Sequence, residues 1–201
     1  MRHIYHPASV DPARPVDSFW LASAPPMAIE AAPLSGRASC DVALIGGGFT
    51  GLSAAYHLAR DHGLDVRVLE RAVPGWGASG RNGGFCCLGS SKLSHEGIAK
   101  RVGTEEANRF LRTQAEAIEL VAKLTGEEGI DVQRTGDGEL DMAHRTGTVG
   151  ELEPRRALMK SVLGLDARLV RKEEMREQGC RMAGAEAALF TPIGFGLHPL
   201  R

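Results

Sequence analysis

The chain has 201 residues, 43% of them hydrophobic and 24% charged, a composition that can build a buried core and rules out global disorder. Its 24 Lys and Arg against 25 Asp and Glu leave a net charge of −1, too weak a field to collect phosphate backbones or an anionic membrane surface, so nucleic-acid and membrane-surface partners are set aside. The length allows one domain, or one with part of a second, and the 25 glycines point to many tight backbone turns.

Residues 1–37 carry Pro7, Pro12, Pro15, Pro25, Pro26 and Pro33. Fixed φ angles and missing donors argue against a helix or a central strand there, so an extended arm is expected, with Phe19 and Trp20 as anchors on the body. No apolar run approaches the roughly 20 residues that span a bilayer, and the N-terminal stretch lacks the apolar core of a signal peptide. Cys40, Cys86, Cys87 and Cys180 make neither a disulfide framework nor a Cys-x-x-Cys motif, which fits a cytoplasmic protein with reduced thiols.

The pattern changes at Asp41. Val42, Ala43, Leu44 and Ile45 form a short apolar run closed by glycines, the signature of a strand buried on both faces. Leu52, Ala55, Tyr56 and Ala59 then recur with helical spacing, which predicts a helix over 50–62 stopped by Gly63. Val66, Val68 and Leu69 form a second strand ending in Glu70, so residues 41–70 read as a β-α-β unit with parallel strands. Residues 71–90, rich in Gly and Ser, read as a functional loop. Thr104, followed by Glu105 and Glu106, opens a long helix whose apolar stripe is Leu111, Ala115, Ile118 and Ala122, up to Gly126. Strands are expected at 130–133, 139–143, 187–191 and 194–198, a helix at 148–163 and a charged helical turn at 171–178. The fold class is therefore α/β: a β-α-β unit with its following loop over 38–90 and an incomplete α+β layer over 91–201.

Between the first strand and its helix stands Gly46-Gly47-Gly48-Phe49-Thr50-Gly51, a G-x-G-x-x-G. Gly46 permits the tight turn, Gly48 lets the backbone approach a pyrophosphate, and Gly51 allows close helix–strand packing. The amides around Phe49 and Thr50 then offer the start of a helix to an anion. Glu70 follows about 20 residues on, where a carboxylate accepts both ribose hydroxyls of an adenosine. An acid at that position argues against a 2′-phosphate, hence against NADP, and leaves NAD and FAD open.

The next segment, Gly75-Trp76-Gly77-Ala78-Ser79-Gly80-Arg81-Asn82-Gly83-Gly84, resembles the second motif of the FAD-dependent amino-acid and amine oxidoreductases, the D-amino-acid oxidase superfamily. The resemblance is nearest to the branch of γ-glutamylputrescine oxidoreductase-like proteins. Ser18-Phe19-Trp20, Glu128–Asp131, Gly136–Leu140 and His198-Pro199-Leu200 match as well, so the similarity runs from Ser18 onward. It implies a Rossmann-like FAD-binding unit whose second loop crosses the pyrophosphate and ribityl chain. The residues it assigns to the cofactor are Gly46, Gly48, Phe49, Thr50, Gly51, Glu70, Arg71, Ala78, Ser79, Arg81, Asn82, Gly83 and Gly84. Independently of the family, small residues in this loop let amides near phosphate oxygens, while Ser79 offers a hydroxyl and Arg81 a fixed guanidinium fork.

The implied reaction is hydride transfer from the carbon bearing a neutral amine to the flavin, with a small-molecule amine or amino acid as substrate. Family chains are longer and return to the dinucleotide domain, so this chain is expected to be the N-terminal portion, completed by a missing C-terminal half or an oligomer partner. The alternatives are a truncated, non-catalytic dinucleotide-binding remnant and an NAD-dependent dehydrogenase. No metal site and no catalytic residue are assigned: His57 and His62 are read as surface residues, His95 and His144 have no assigned partner, and Cys86 and Cys87 are read as small residues near the cofactor. His198 is read either as a satisfied strand-end histidine or as facing the flavin.

Overall fold

The computed structural model describes residues 6–7, 10–14, 16–27, 31–89 and 91–201; Pro15 of the arm and Ser90 at the end of the expected loop lie outside them. The chain divides into two units, Met1–Gly84 with His198–Arg201, and Phe85–Leu197.

In the first unit the arm is not extended throughout. Helix α1 (Phe19–Ser23) forms in the proline-free stretch before Pro25, and the Ser18 hydroxyl caps it by accepting the Leu21 amide. Phe19 is 72% exposed, so of the two expected anchors only Trp20 packs. Strands β1 (Val42–Ile45) and β2 (Val66–Leu69) pair in parallel, Val42 opposite Val66 and Ile45 opposite Leu69, and helix α2 (Phe49–His62) connects them. Gly63 ends α2 in the left-handed conformation, φ 65°, and donates its amide back to Ala59. The expectation that β1 is buried on both faces is corrected: Val42 and Leu44 are half-buried, whereas Ala43 is exposed and Ile45 is 82% exposed. A parallel strand needs a layer on each face, and within this unit β1 and β2 form a two-stranded sheet with α2 packed on it.

The second unit opens with β3 (Phe85–Cys86). Helix α3 (His95–Val102) follows, with the Ser94 hydroxyl accepting the Gly97 amide, and then α4 (Thr104–Glu127), which buries Ala107, Leu111 and Ile118 along the expected stripe. After β4 (Glu139–Ala143) a tight helical turn over Thr146–Glu151 leads into α5 (Leu152–Leu158), and a wider turn over Met159–Leu163 ends that helix at Gly164. Next come β5 (Arg168–Arg171), α6 (Lys172–Glu177), β6 (Ala187–Thr191) and β7 (Phe195–Gly196). Strands β4, β6 and β5 form an antiparallel sheet with β6 in the centre, and β3 pairs antiparallel with β7.

Leu111, Ala143, Leu152, Met159 and Leu189 make the main core of this unit; Val170, Met175, Ala185 and Ala188 make a second. Residues 130–133 are not a strand. Gln133 has φ 51° and Val132 is buried on its own, with Thr135 making a single bridge to Gly196. Strand β3, which falls inside the expected loop over 71–90, helix α3 and strand β5 are additions to the expected elements. Leu189 is 2% exposed on the central strand, and Leu189→Ala is expected to lower the unfolding free energy of this unit by about 2–5 kcal/mol, measured by urea unfolding followed by circular dichroism.

Candidate functional site

The glycine turn between β1 and α2 is shaped by two close approaches. Gly46 has φ 102°, a conformation costly for any residue with a Cβ, and donates its amide to the Leu69 carbonyl at 2.9 Å. A Cβ on Gly51 would lie 2.0 Å from the Gly46 carbonyl oxygen, so the helix starts against the strand only with glycine there. Gly48 caps α2 without a side chain, and the first turn holds no acid. Among the described residues the amides of Gly48, Thr50 and Gly51 meet no protein acceptor. Three free donors and the positive end of a helix dipole thus point the same way.

The fourth donor is taken from the second loop. Ala78–Gly80 forms a tight helical turn that brings the Ser79 Oγ to 2.9 Å from the Phe49 amide, whose hydrogen it accepts while keeping its own hydrogen to donate. This approach is why Gly48 must lack a side chain: its Cβ would sit 2.9 Å from that hydroxyl. A second stitch runs from the Gly75 amide to the Gly47 carbonyl at 2.8 Å.

Glu70, expected to hold ribose, also holds the turn itself. Its Oε2 accepts the Gly47 amide at 2.6 Å and its Oε1 accepts the Ala72 amide at 2.9 Å. The Ala72 amide, then that of Gly47, pull its carboxyl below the usual range against an opposing effect of burial, and the Arg71 charge adds to the pull. Each oxygen retains an acceptor site for a further donor.

Trp76 collects both arginines of the site. The Arg81 guanidinium lies 4.2 Å from its ring centroid and that of Arg71 5.8 Å, while Arg71 also donates to the Val10 carbonyl at 2.7 Å. The Trp76 Nε1 is buried and meets no partner among the described residues. Asn82 is spent on the loop: Nδ2 donates to the Ser79 carbonyl at 2.6 Å, and Oδ1 accepts the amide of Gly84, which has φ 72°. The structure therefore gathers Gly46, Gly48, Phe49, Thr50, Gly51, Glu70 and Ser79 into one turn. Ala78, Arg81, Asn82, Gly83 and Gly84 lie along the adjoining loop, and Arg71 follows Glu70 toward the arm.

His198 is not a strand end. It is 2% exposed in the first unit, where Nδ1 accepts the Leu200 amide at 3.2 Å and Nε2 meets the Ser23 Oγ at 3.1 Å. Neither this partnership nor that of Trp76 was assigned from the sequence, although Ser18-Phe19-Trp20 and His198-Pro199-Leu200 stand out there as matching strings. Of the other histidines, His57 pairs with Asp61 on α2, and His95 meets Asn108 at 2.8 Å in the second unit.

That second unit holds a cavity of about 780 Å³ walled by Phe110, Leu111 and Leu189, with Glu139 and the Asp141–Arg155 ion pair on its lining. Burial pushes the Glu139 carboxyl up, against a hydrogen bond from the Cys87 thiol and the Arg155 charge. Burial, followed by the Glu139 charge, pushes the Cys87 thiol up. All four cysteines are free thiols. Among the described residues no His, Cys, Asp and Glu group is placed to hold a metal, and no helix is long and apolar enough to cross a membrane.

Free amides, a hydroxyl, a guanidinium and an unpartnered indole N–H around one turn ask for a ligand rich in acceptors and negatively charged, and a nucleotide diphosphate has that chemistry. Residues 41–201 match a family described as DAO, FAD dependent oxidoreductase. The chain is 34% identical over 167 residues to γ-glutamylputrescine oxidoreductase of Escherichia coli (strain K12), covering 81% of this chain and 37% of that protein. It is 31% identical over 146 residues to sarcosine oxidase subunit beta of an Arthrobacter species, covering 70% and 31%. In fold it is similar to L-amino acid deaminase from Proteus myxofaciens, with a TM-score of 0.64 at 19% identity over 86% of this chain and 36% of that one. Glycine oxidase from Bacillus cereus ATCC 14579 gives a TM-score of 0.56 at 19% identity over 81% and 41%. The chain thus spans between 31% and 41% of the length of these relatives.

Because the folded-state pKa of Glu70 lies below its unfolded value, its ionisation stabilises the fold above the ordinary carboxylate range, and that stabilisation is lost as pH falls through the depressed folded pKa. Glu70→Gln is therefore expected to lower the melting temperature at neutral pH, with the difference from the parent protein shrinking on acidification; melts across a pH series check this. Gly51→Ala is expected to destabilise the first unit at every pH, because its Cβ meets backbone rather than a movable side chain.

Proposed function

As the chain belongs to the FAD dependent oxidoreductase family, we propose that it forms the cofactor-binding portion of an enzyme that oxidises the C–N bond of a small-molecule amine or amino acid. One observation carries the reading: three unpartnered amides at the start of α2 stand beside a serine hydroxyl delivered by a second loop. Bound there, FAD would supply the hydride acceptor, a property of the cofactor rather than of the protein.

The chain's own residues bind and orient. The amides of Gly48, Thr50 and Gly51 with the Ser79 hydroxyl hold the diphosphate, and the remaining acceptor sites of Glu70 hold the ribose hydroxyls. Arg81, set over the Trp76 ring, adds a positive charge to the loop. Gly46 and Phe49 shape the turn, while Ala78, Asn82, Gly83 and Gly84 shape the loop, with Arg71 joining it to the arm. The division proposed is an arm over 1–37, a cofactor unit over 38–90 and the beginning of a substrate layer over 91–201. The apolar-walled cavity bearing Glu139 supports a small-molecule role for that layer. The names of the relatives supply the substrate class, amines and amino acids. Free cysteines fit a reducing, cytoplasmic setting.

Calorimetric titration of the purified chain with FAD tests the reading. One FAD per chain is expected, with Ser79→Ala raising Kd about tenfold through the loss of a hydroxyl on a charged ligand. NAD is expected not to displace it. A folded chain that releases no heat with FAD would overturn the proposal.

A further inference from the structure

Helix α1 is only five residues long and buries none of them completely, yet one of its side chains bonds the second glycine loop and another bonds His198. The Trp20 Nε1–H donates to the Asn82 carbonyl at 2.8 Å across 62 residues of sequence. The same indole and the His198 ring meet edge to face, with centroids 4.9 Å apart and planes at 68°. Hydrogen positions around His198 follow from its neighbours. The Leu200 amide can only donate, so Nδ1 is the acceptor. The ring hydrogen of the neutral imidazole is therefore on Nε2, which donates to the Ser23 Oγ at 3.1 Å, and that hydroxyl donates in turn to the Phe19 carbonyl at 2.5 Å. Beside it the Leu200 side chain takes the space that a Cβ on Gly75 or Gly80 would need, 2.7 and 2.4 Å away.

The loop is thus held at Gly75, Gly80 and Asn82 by two segments remote in sequence. What is held at Asn82 is passed on, because the Asn82 side chain fixes the Ser79 carbonyl and the Gly84 amide, and Ser79 stands on the Phe49 amide at the helix start. We propose that Trp20 and His198 form a clasp that sets the second loop for the cofactor diphosphate, with Trp20 a positioning residue that acts through Asn82 on Ser79. The proposal rests on the FAD reading of the turn. By linkage, whatever tightens the clasp tightens diphosphate binding, and bound cofactor holds α1 down to the same extent.

Trp20→Phe removes the N–H while keeping an aromatic ring against His198, so the arm still packs. FAD affinity is expected to fall about tenfold by calorimetry, the effect of one hydrogen bond, while adenosine, which reaches Glu70 but not Ser79, binds with unchanged affinity. Ser23→Ala, which removes the acceptor of the His198 hydrogen, is expected to shift FAD affinity in the same direction by a smaller factor. Equal FAD affinity in Trp20→Phe and the parent chain overturns the clasp and leaves the FAD reading standing. A parallel loss of FAD and adenosine binding also overturns it, since that marks general loosening. If the parent chain takes up no FAD, the function reading fails on its own, and hydrogen exchange in the cofactor-free chain decides the clasp. The Gly84 amide is expected to exchange about tenfold faster in Trp20→Phe, and equal rates overturn the proposal.

Discussion

The Glu70 carboxylate joins two parts of the first unit that a ligand would otherwise have to organise. By accepting the Gly47 and Ala72 amides, it fastens the glycine turn to the end of β2. A buried amide costs free energy without a partner, so satisfying that of Gly47 inside the protein leaves those of Gly48, Thr50 and Gly51 as the free donors. The same carboxylate separates holding the turn from serving a ligand: each oxygen uses one acceptor site for the backbone and keeps another. Everything placed around the turn follows from this geometry. Gly51 can approach Gly46 only because the turn is fixed, and Ser79 can approach Phe49 only because Gly48 carries no side chain.

Much of this was legible in the sequence because it depends on local chemistry. Three glycines after an apolar run, an apolar helical stripe and an acid closing the next strand each constrain the backbone within a few residues, and β1, α2 and β2 form where those constraints place them. What was not legible depends on distant partners. The Trp20 bond to Asn82 and the His198 contact with Ser23 join residues without local pattern. Helix α1 occupies the proline-free stretch between Pro15 and Pro25, which the proline content of the arm as a whole masks. Exposure of Ile45 is a further case: strand composition tells which faces can be covered, and tertiary packing decides which are.

The second unit shows the same division between local and tertiary control. Helix α4 and strand β6 carry strong periodic or apolar patterns and form as expected. Strand β5, Arg-Leu-Val-Arg, has a weak pattern of its own and exists because β6 offers it an edge, with Val170 buried opposite Ala188. Conversely, residues 130–133 have strand-like composition but pair with no strand among the described residues, the bridge nearby being made by Thr135 to Gly196. Pairing opportunity rather than propensity selects among such short segments.

The pairing of Ser23 with His198 spans 175 residues, and this separation orders events in time. A chain made from its N-terminus exposes the glycine turn and α2 early, then the whole of the second unit, and only afterwards the segment that seats beside α1. Local elements of the first unit can form as they emerge, but its closure must wait until the intervening unit has been synthesised. During that interval the second glycine loop has its turn and its serine but lacks the leucine that packs on Gly75 and Gly80, and Trp20 lacks the ring it rests on, so cofactor capture is expected to follow synthesis of the second unit rather than precede it.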